Sequence, residues 1–217
     1  MKKIRKIRKI VAIFIVCMPF IAAAQTDQHA KTFFDKTIAV LQNNPLQTDF
    51  SVTYENAISN ESEIKQGKLI LKGNKFYFLL DGMTLFFDGK TQWMYMKDID
   101  EVSISEPTGK ELSDVNPILM IKEFRKTHMV QFDADDVEAS PNRLLNLYPL
   151  DKTADHFKVS LVVKASNKQI VSMKISFKNG TSTLFSTKNY QLLKSIADSV
   201  FVFDKSKYPN VMINDLR

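Results

Sequence analysis

The stretch GKLILKGNKFYFLLDGMTLFFDGKTQWMYM, residues 67–96, decides the fold. It is cut at Gly73-Asn74, Asp81-Gly82 and Asp88-Gly89, and each cut is flanked by runs rich in large aliphatic and aromatic residues. Glycine beside asparagine or aspartate supplies the positive φ that tight hairpin turns demand, so the stretch reads as a meander of antiparallel strands. Phe76 to Leu80 are five consecutive large residues, and Leu85, Phe86, Phe87 and then Trp93 to Met96 continue the pattern. Strands apolar on both phases need cover on both faces. Helices starting near Asp27 and Pro117 are the elements expected to provide it.

Upstream, Ala30, Phe33, Phe34, Ile38 and Leu41 recur at intervals of three and four between Asp27 and Gln42, which puts them on one helical stripe. Asn43, Asn44 and Pro45 end that helix. The period then changes to two, with Phe50, Val52 and Tyr54 alternating with polar residues, and Leu69 and Leu71 doing the same. Downstream, strands are expected at Phe157 to Ala165, Gln169 to Phe177 and Thr181 to Asn189, the last two joined at Asn179-Gly180. A helix is expected over Pro117 to Arg125, and Pro141 to Leu145 is a candidate short helical turn. No repeat or linker divides the chain after its N-terminus, so one domain of about ten strands and two or three helices is expected. A sheet of that size must close or be covered.

The formal net charge of +6 is not spread over this domain. Lys2, Lys3, Arg5, Lys6, Arg8 and Lys9 carry six positives, and the rest of the chain balances 24 basic against 24 acidic residues. A nucleic-acid partner thereby loses its electrostatic footprint. After the basic stretch an apolar run from Ile10 ends in Ala22-Ala23-Ala24, the three zones of a secretory signal peptide, with cleavage expected after Ala24. The run is too short for a bilayer span of about 20 residues. Val16 stands where lipidation at Cys17 would require a small residue. The mature chain, residues 25–217, would then hold no cysteine, which excludes disulfides and thiolate chemistry.

Catalytic and metal motifs are not found. His29, His128 and His156 stand far apart in sequence, and no nucleophile elbow, phosphate-binding loop or dinucleotide fingerprint occurs. Asp133, Asp135, Asp136 and Glu138 lack the calcium-loop spacing and read as a solvated loop; Asp98, Asp100 and Glu101 read as a hairpin tip. No metal, no cofactor and no enzymatic activity are expected. Fourteen phenylalanines and seven methionines remain after residue 24, a composition that suits either a packed interior or an apolar cavity for irregular ligands.

Several segments together resemble the periplasmic outer-membrane lipoprotein carrier proteins of the LolA type. They are Gly67 to Lys72, Asn74 to Phe78, the Asp88-Gly89-Lys90-Thr91-Gln92-Trp93-Met94-Tyr95 segment, Asn116 to Ile121, and the closing Phe201-Val202-Phe203 with Tyr208 to Arg217. The resemblance implies an incomplete, half-open antiparallel β-barrel of ten or eleven strands, with a helical lid over an apolar cavity for the acyl chains of lipoproteins. By that resemblance Phe50, Phe76, Phe78, Leu80 and Leu85 would face the cavity, Pro117, Ile118, Leu119, Met120 and Ile121 would form the lid, and Trp93 and Tyr95 would belong to the framework. The arginine that holds the family's lid shut falls at Gly73 here, and the neighbouring Lys72 lacks a planar multi-donor fork. The implied partners are an inner-membrane ABC-type lipoprotein exporter and an outer-membrane acceptor, with the carrier acting as a monomer. Two alternatives stay open: a lipid- or lipoprotein-sensing domain on the same scaffold, and a carrier of another apolar molecule such as a glycolipid.

Overall fold

Asp81 and Gly82 both take positive φ, 46° and 80°, and so close the hairpin between the strands carrying Phe76 to Leu80 and Met83 to Phe87 in the way an Asp-Gly turn allows. The computed structural model that shows this describes residues 27–108, 111 and 117–217. The expected signal peptide, residues 1–24, lies outside the described residues. Helix α1 spans Gln28–Asn43 and is followed by β1 (Leu46–Asn56), β2 (Glu61–Lys72), β3 (Lys75–Leu80), β4 (Met83–Phe87), β5 (Gln92–Met96) and β6 (Glu101–Ser105). Helix α2 (Pro117–Thr127) leads into β7 (His128–Phe132), β8 (Asn142–Pro149), β9 (His156–Lys164), β10 (Ile170–Phe177), β11 (Thr181–Leu192) and β12 (Met212–Asp215).

The twelve strands of the described residues form one sheet in the order β12-β6-β5-β4-β3-β2-β1-β11-β10-β9-β8-β7. The edges β12 and β7 are not paired with each other, so the sheet curls without closing. That is the half-open barrel, with more strands than the expected ten or eleven. One addition is β12, which runs parallel to β6 while every other pairing is antiparallel. Another is β8: the Pro141–Leu145 segment is not helical, because Asn142–Pro149 pairs with β7 on one side and β9 on the other. Ladder hydrogen bonds on both edges outweigh the weak helix-start signal of a proline.

Helix α1 begins where the Asp27 carboxylate accepts from His29 N at 2.8 Å and Ala30 N at 3.3 Å, an N-cap worth about 1 kcal/mol. At the other end Asn44 Nδ2 donates to Val40 O, occupying one of the carbonyls that a helix end leaves free. Its buried stripe of Ala30, Phe34, Ile38 and Leu41 packs on the concave side of the sheet against Leu46, Leu71, Phe76, Phe87, Val130, Leu145 and Leu161. Each large side chain among these contributes about 1.5–3 kcal/mol through area removed from water. Helix α2 shares that side, tied to α1 by the Arg125–Asp35 ion pair.

The convex face of β3 to β6 is covered differently from what the aromatic runs suggested. Among the described residues no α-helix lies there; the segment 198–211, irregular apart from two short 3₁₀ turns, does the covering. Tyr95, Val102 and Val211 form a second small core with Trp93, Phe203 and Tyr208. Phe203 stacks on Tyr208 at 4.7 Å and meets Phe86 edge-on at 5.8 Å. Trp93 and Tyr95 therefore sit in the framework, on the face opposite α1.

Candidate functional site

Period two along the strands sends Phe78, Leu80, Leu85 and Met94 to the concave side, and there the helices do not fill the space beneath the sheet. What remains is a cavity of about 480 Å³, inside the roughly 300–1,000 Å³ range of ligand pockets. Strand β1 contributes Thr48, Phe50 and Tyr54 to its wall, β2 contributes Leu69 and Leu71, and β3 to β5 contribute Phe78, Leu80, Met83, Leu85, Gln92 and Met94. The far wall comes from Ile170, Met173, Phe185, Thr187 and Tyr190, and the cover from Leu41 of α1 with Met120 and Ile121 of α2. The cavity runs from a blind end at Leu46 and Leu71, nearly inaccessible to solvent, towards Tyr54, which is 40% exposed.

Of the residues expected at the cavity, Phe50, Phe78, Leu80 and Leu85 line it. Phe76 does not. It lies on the same phase of β3, level with Leu71 in the row of the blind end, wholly buried and stacked on Phe87 at 5.3 Å. Of the lid residues, Met120 and Ile121 face the cavity, while Leu119 is half-buried away from its lining. Pro117 and Ile118 form the first turn of α2, and their side chains lie outside the described ones.

The cavity is open partly because of Gly67. A Cβ there would collide with Leu79 O and with the ring of Phe50. Without it, Phe50 lies flat across β2 and stacks on Phe78 at 5.1 Å, forming a smooth aromatic floor. Met83, Met94, Met120 and Met173 add unbranched, polarizable side chains that adapt to irregular shapes. The excess of methionine was the signal available for them; their strand phase alone did not single them out.

Polar atoms are few inside and mostly engaged. Thr48 Oγ1 stands within donating distance of Lys188 O at 2.9 Å and Asp49 O at 2.8 Å, and Thr187 Oγ1 donates to Ile170 O at 2.7 Å. Among the described residues, two buried side-chain oxygens have no hydrogen-bond partner, Gln92 Oε1 and Tyr190 Oη, and both residues line the cavity. Burial pushes the Tyr190 phenol up to about 12, so it stays a neutral O–H at physiological pH.

The lid is held at two places. Arg125 grips the Asp35 carboxylate of α1 through both Nε and Nη2, the second bond at 2.9 Å. At the foot of α2, Phe124 packs edge-on against His128 at 4.8 Å and lies 6.1 Å from His156. The two imidazoles stack and join Nε2 to Nε2 at 2.7 Å. Sequence distance hid this pairing. Lys72 takes no part in the lid: it points to the convex side and donates to Ile196 O and Asp198. Gly73 lies in the β2–β3 turn, with open space where a Cβ would stand.

The acidic run after β7 is only partly solvated. Asp136 is buried beneath Arg143 and also accepts from Leu144 N at 2.7 Å, and Asp133 receives Asn146. Bonds from Arg143 and Leu144 outweigh the burial of Asp136 and hold its carboxyl below the usual range. Among the described residues no group of three His, Cys, Asp or Glu side chains is placed to hold a metal.

The fold is shared with known proteins. An uncharacterized conserved protein from Thermus thermophilus shares the fold at a TM-score of 0.55 and 10% identity, over 87% of this chain and 99% of that one. A LolA superfamily protein from Nitrosomonas europaea gives 0.44 at 14% identity over 81% and 98%, and the Pseudomonas aeruginosa MucA/MucB complex gives 0.42 at 13% over 81% and 61%. No curated protein matches. The sequence profile of the outer membrane lipoprotein carrier protein LolA matches residues 20–138, more than half of the chain and the part that supplies α1, the meander and the lid. The chain thus belongs to the LolA family of outer membrane lipoprotein carrier proteins, whose fold binds lipids or lipoproteins.

Proposed function

We propose that the protein is a periplasmic carrier that takes up the acyl chains of lipoproteins beneath its lid and moves them from the inner to the outer membrane, without covalent chemistry. The observation that carries this reading is the apolar hollow between the curved sheet and α2, lined by four methionines and by the Phe50–Phe78 stack. Burying a CH₂ group is worth about 0.8 kcal/mol, so a chain of roughly sixteen carbons resists leaving a bilayer by on the order of ten kcal/mol. A shielded apolar volume lowers that barrier, and an imperfectly filled one releases its cargo again to an acceptor. Phe50, Phe78, Leu80 and Leu85 are assigned to the tail, and Met120 and Ile121 to the moving cover.

The basic-then-apolar N-terminus, residues 1–24, supports export across the inner membrane, with residues 25–217 as the mature carrier. No phosphate-binding loop is present in the sequence, so the energy of extraction is assigned to an inner-membrane ABC-type exporter and delivery to an outer-membrane acceptor. The test is to purify the mature form from its native compartment and identify what accompanies it by mass spectrometry. Acylated proteins are expected with the wild type and lost with Phe78→Asp at unchanged circular dichroism. Recovery of acyl chains only as free lipids or glycolipids would replace lipoprotein with that cargo. A Phe78→Asp variant that still carries its cargo would remove the cavity from the reading.

A further inference from the structure

The cavity wall carries two loose ends. A buried polar atom without a partner costs as much as a lost hydrogen bond, and folded proteins satisfy the great majority of theirs. Here both orphans, Gln92 Oε1 and Tyr190 Oη, belong to residues that line one hollow. They stand on opposite flanks of it. Gln92 is on β5 and Tyr190 on β11, with β4, β3, β2 and β1 between them in the curved sheet. Both lie towards the blind end. Gln92 pairs across to Phe87, which continues through Phe76 and Leu71 to the buried Leu46. Tyr190 lies level with Thr48, one step nearer the mouth, where β1 and β11 shift register.

Tyr190 is brought inward by a local distortion. Thr187 lines the cavity, and strict alternation would turn residue 190 outward. Asn189 adopts a positive φ of 51° in the β1–β11 register shift and resets the phase, so that Tyr190 faces the hollow as well.

The two atoms ask for opposite partners. The neutral Tyr190 phenol offers an O–H, and Gln92 Oε1 offers lone pairs. A saturated tail satisfies neither, and an ester supplies acceptors only. A carboxylate would be buried without compensation, since no Lys, Arg or His is among the lining residues. A hydroxyl or a secondary amide both accepts and donates while remaining neutral.

Resting on the carrier reading above, we propose that Tyr190 and Gln92 form a polar anchor at the blind end of the cavity that selects acyl chains bearing a neutral donor–acceptor group, a chain hydroxyl or an amide, in their distal part. The anchor makes the cavity a reader of chain chemistry as well as chain length. A tail inserts from the Tyr54 side, and only a substituted tail completes the hydrogen bonds at the far end.

The test is displacement of a fluorescent apolar probe from the purified mature protein by lysophospholipids of one head group. Four hexadecanoyl-length chains are compared: unsubstituted, hydroxylated near the head, hydroxylated in the distal third, and interrupted there by an amide. The distal hydroxyl or amide chain is expected to displace about tenfold better than the unsubstituted one for each bond it completes. The two distal arms decide between the hydroxyl and the amide. Tyr190→Phe and Gln92→Leu should each lower that preference, read as the ratio of substituted to unsubstituted chain, by about tenfold. No preference in the wild type, or a preference surviving both variants, overturns the anchor. So does the outcome in which the variants are merely more stable and ligand choice is unchanged, which would assign the two oxygens to buried water. Failure of every chain, the unsubstituted one included, would count against the carrier reading.

Discussion

Acid should loosen the foot of the lid. Thr127 Oγ1 donates its single hydrogen to Glu123 O at 2.6 Å, so its 2.9 Å contact with His128 Nδ1 requires the imidazole to be the donor there. That fixes His128 as the Nδ1–H tautomer, and its Nε2 lone pair accepts from His156 Nε2–H at 2.7 Å. A second proton on His128 would set N–H against N–H. Burial first, and the neighbouring His156 second, push His128 down from 6.5 to about 4. His156 is also lowered, by burial, with Lys178 adding to the shift and Asp155 opposing it. Between pH 6.5 and about 4 the unfolded chain therefore binds more protons than the folded one, and stability falls as pH falls. Moving from pH 7.5 to pH 5 should cost about 2 kcal/mol through His128, with His156 adding in the same direction. The interval from pH 7.5 to pH 5 lies above the ordinary carboxylate range in which the lowered carboxylates begin to cost stability, so it is dominated by the histidines. Urea unfolding at the two pH values reads the cost directly. His128→Gln should flatten most of it, and an apolar probe should leave the wild type faster at pH 5, because Phe124 of α2 rests on these rings. Equal stability at both pH values, or an equal fall in His128→Gln, would refute the pairing.

Three further outcomes follow from the packing. Gly67→Ala should destabilise by about 1–3 kcal/mol and weaken probe binding, because the added Cβ meets backbone at Leu79 O and lifts Phe50 into the cavity; urea unfolding within about 0.5 kcal/mol of wild type would contradict this. Arg125→Ala should change stability by less than about 1 kcal/mol, as its partner Asp35 is 47% exposed. Its stopped-flow probe release should accelerate if the pair latches α2 to α1, and an unchanged off-rate removes the latch. Arg143→Leu should cost about 3–5 kcal/mol, since it leaves the buried Asp136 carboxylate without its counter-charge, held by Leu144 N alone, and strips the guanidinium from the face of Phe132 at 3.9 Å. Arg143→Lys should recover only part, lacking the second donor arm, and full recovery in thermal melts would show that charge alone suffices.

Which parts were legible follows from what local chemistry encodes. Turn residues are local, so the hairpins at Gly73-Asn74, Asp81-Gly82 and Asn179-Gly180 stand where the sequence puts them, and Asp27 caps the helix that the stripe through Phe34 and Ile38 announces. Strand β12 is non-local and all four of its residues are exposed, so no alternation marks it; it exists because β6 offers an edge. The Pro141–Leu145 misreading has the same origin, since Leu144 and Leu145 read equally well as helix or strand until β9 is alongside. The aromatic runs called for cover on two faces, and only the structure shows largely irregular chain doing on the convex side what helices do on the concave one.

At the cavity, period two reports which face a residue occupies and is silent on how far along the strand the space is empty. Phe76 and Phe78 share a face, yet one is sealed against Phe87 in the row that ends the hollow and the other borders the hollow one step along the strand. That boundary is a tertiary fact. Tyr190 shows the complementary failure: a register shift moved it to a face its sequence phase denied it. A hollow of this kind is thus specified by interruptions of the pattern. A missing Cβ at Gly67 lets Phe50 lie flat, a phase slip at Asn189 brings Tyr190 to the wall, and Met120 and Ile121 of the lid roof a volume that uninterrupted packing would have closed.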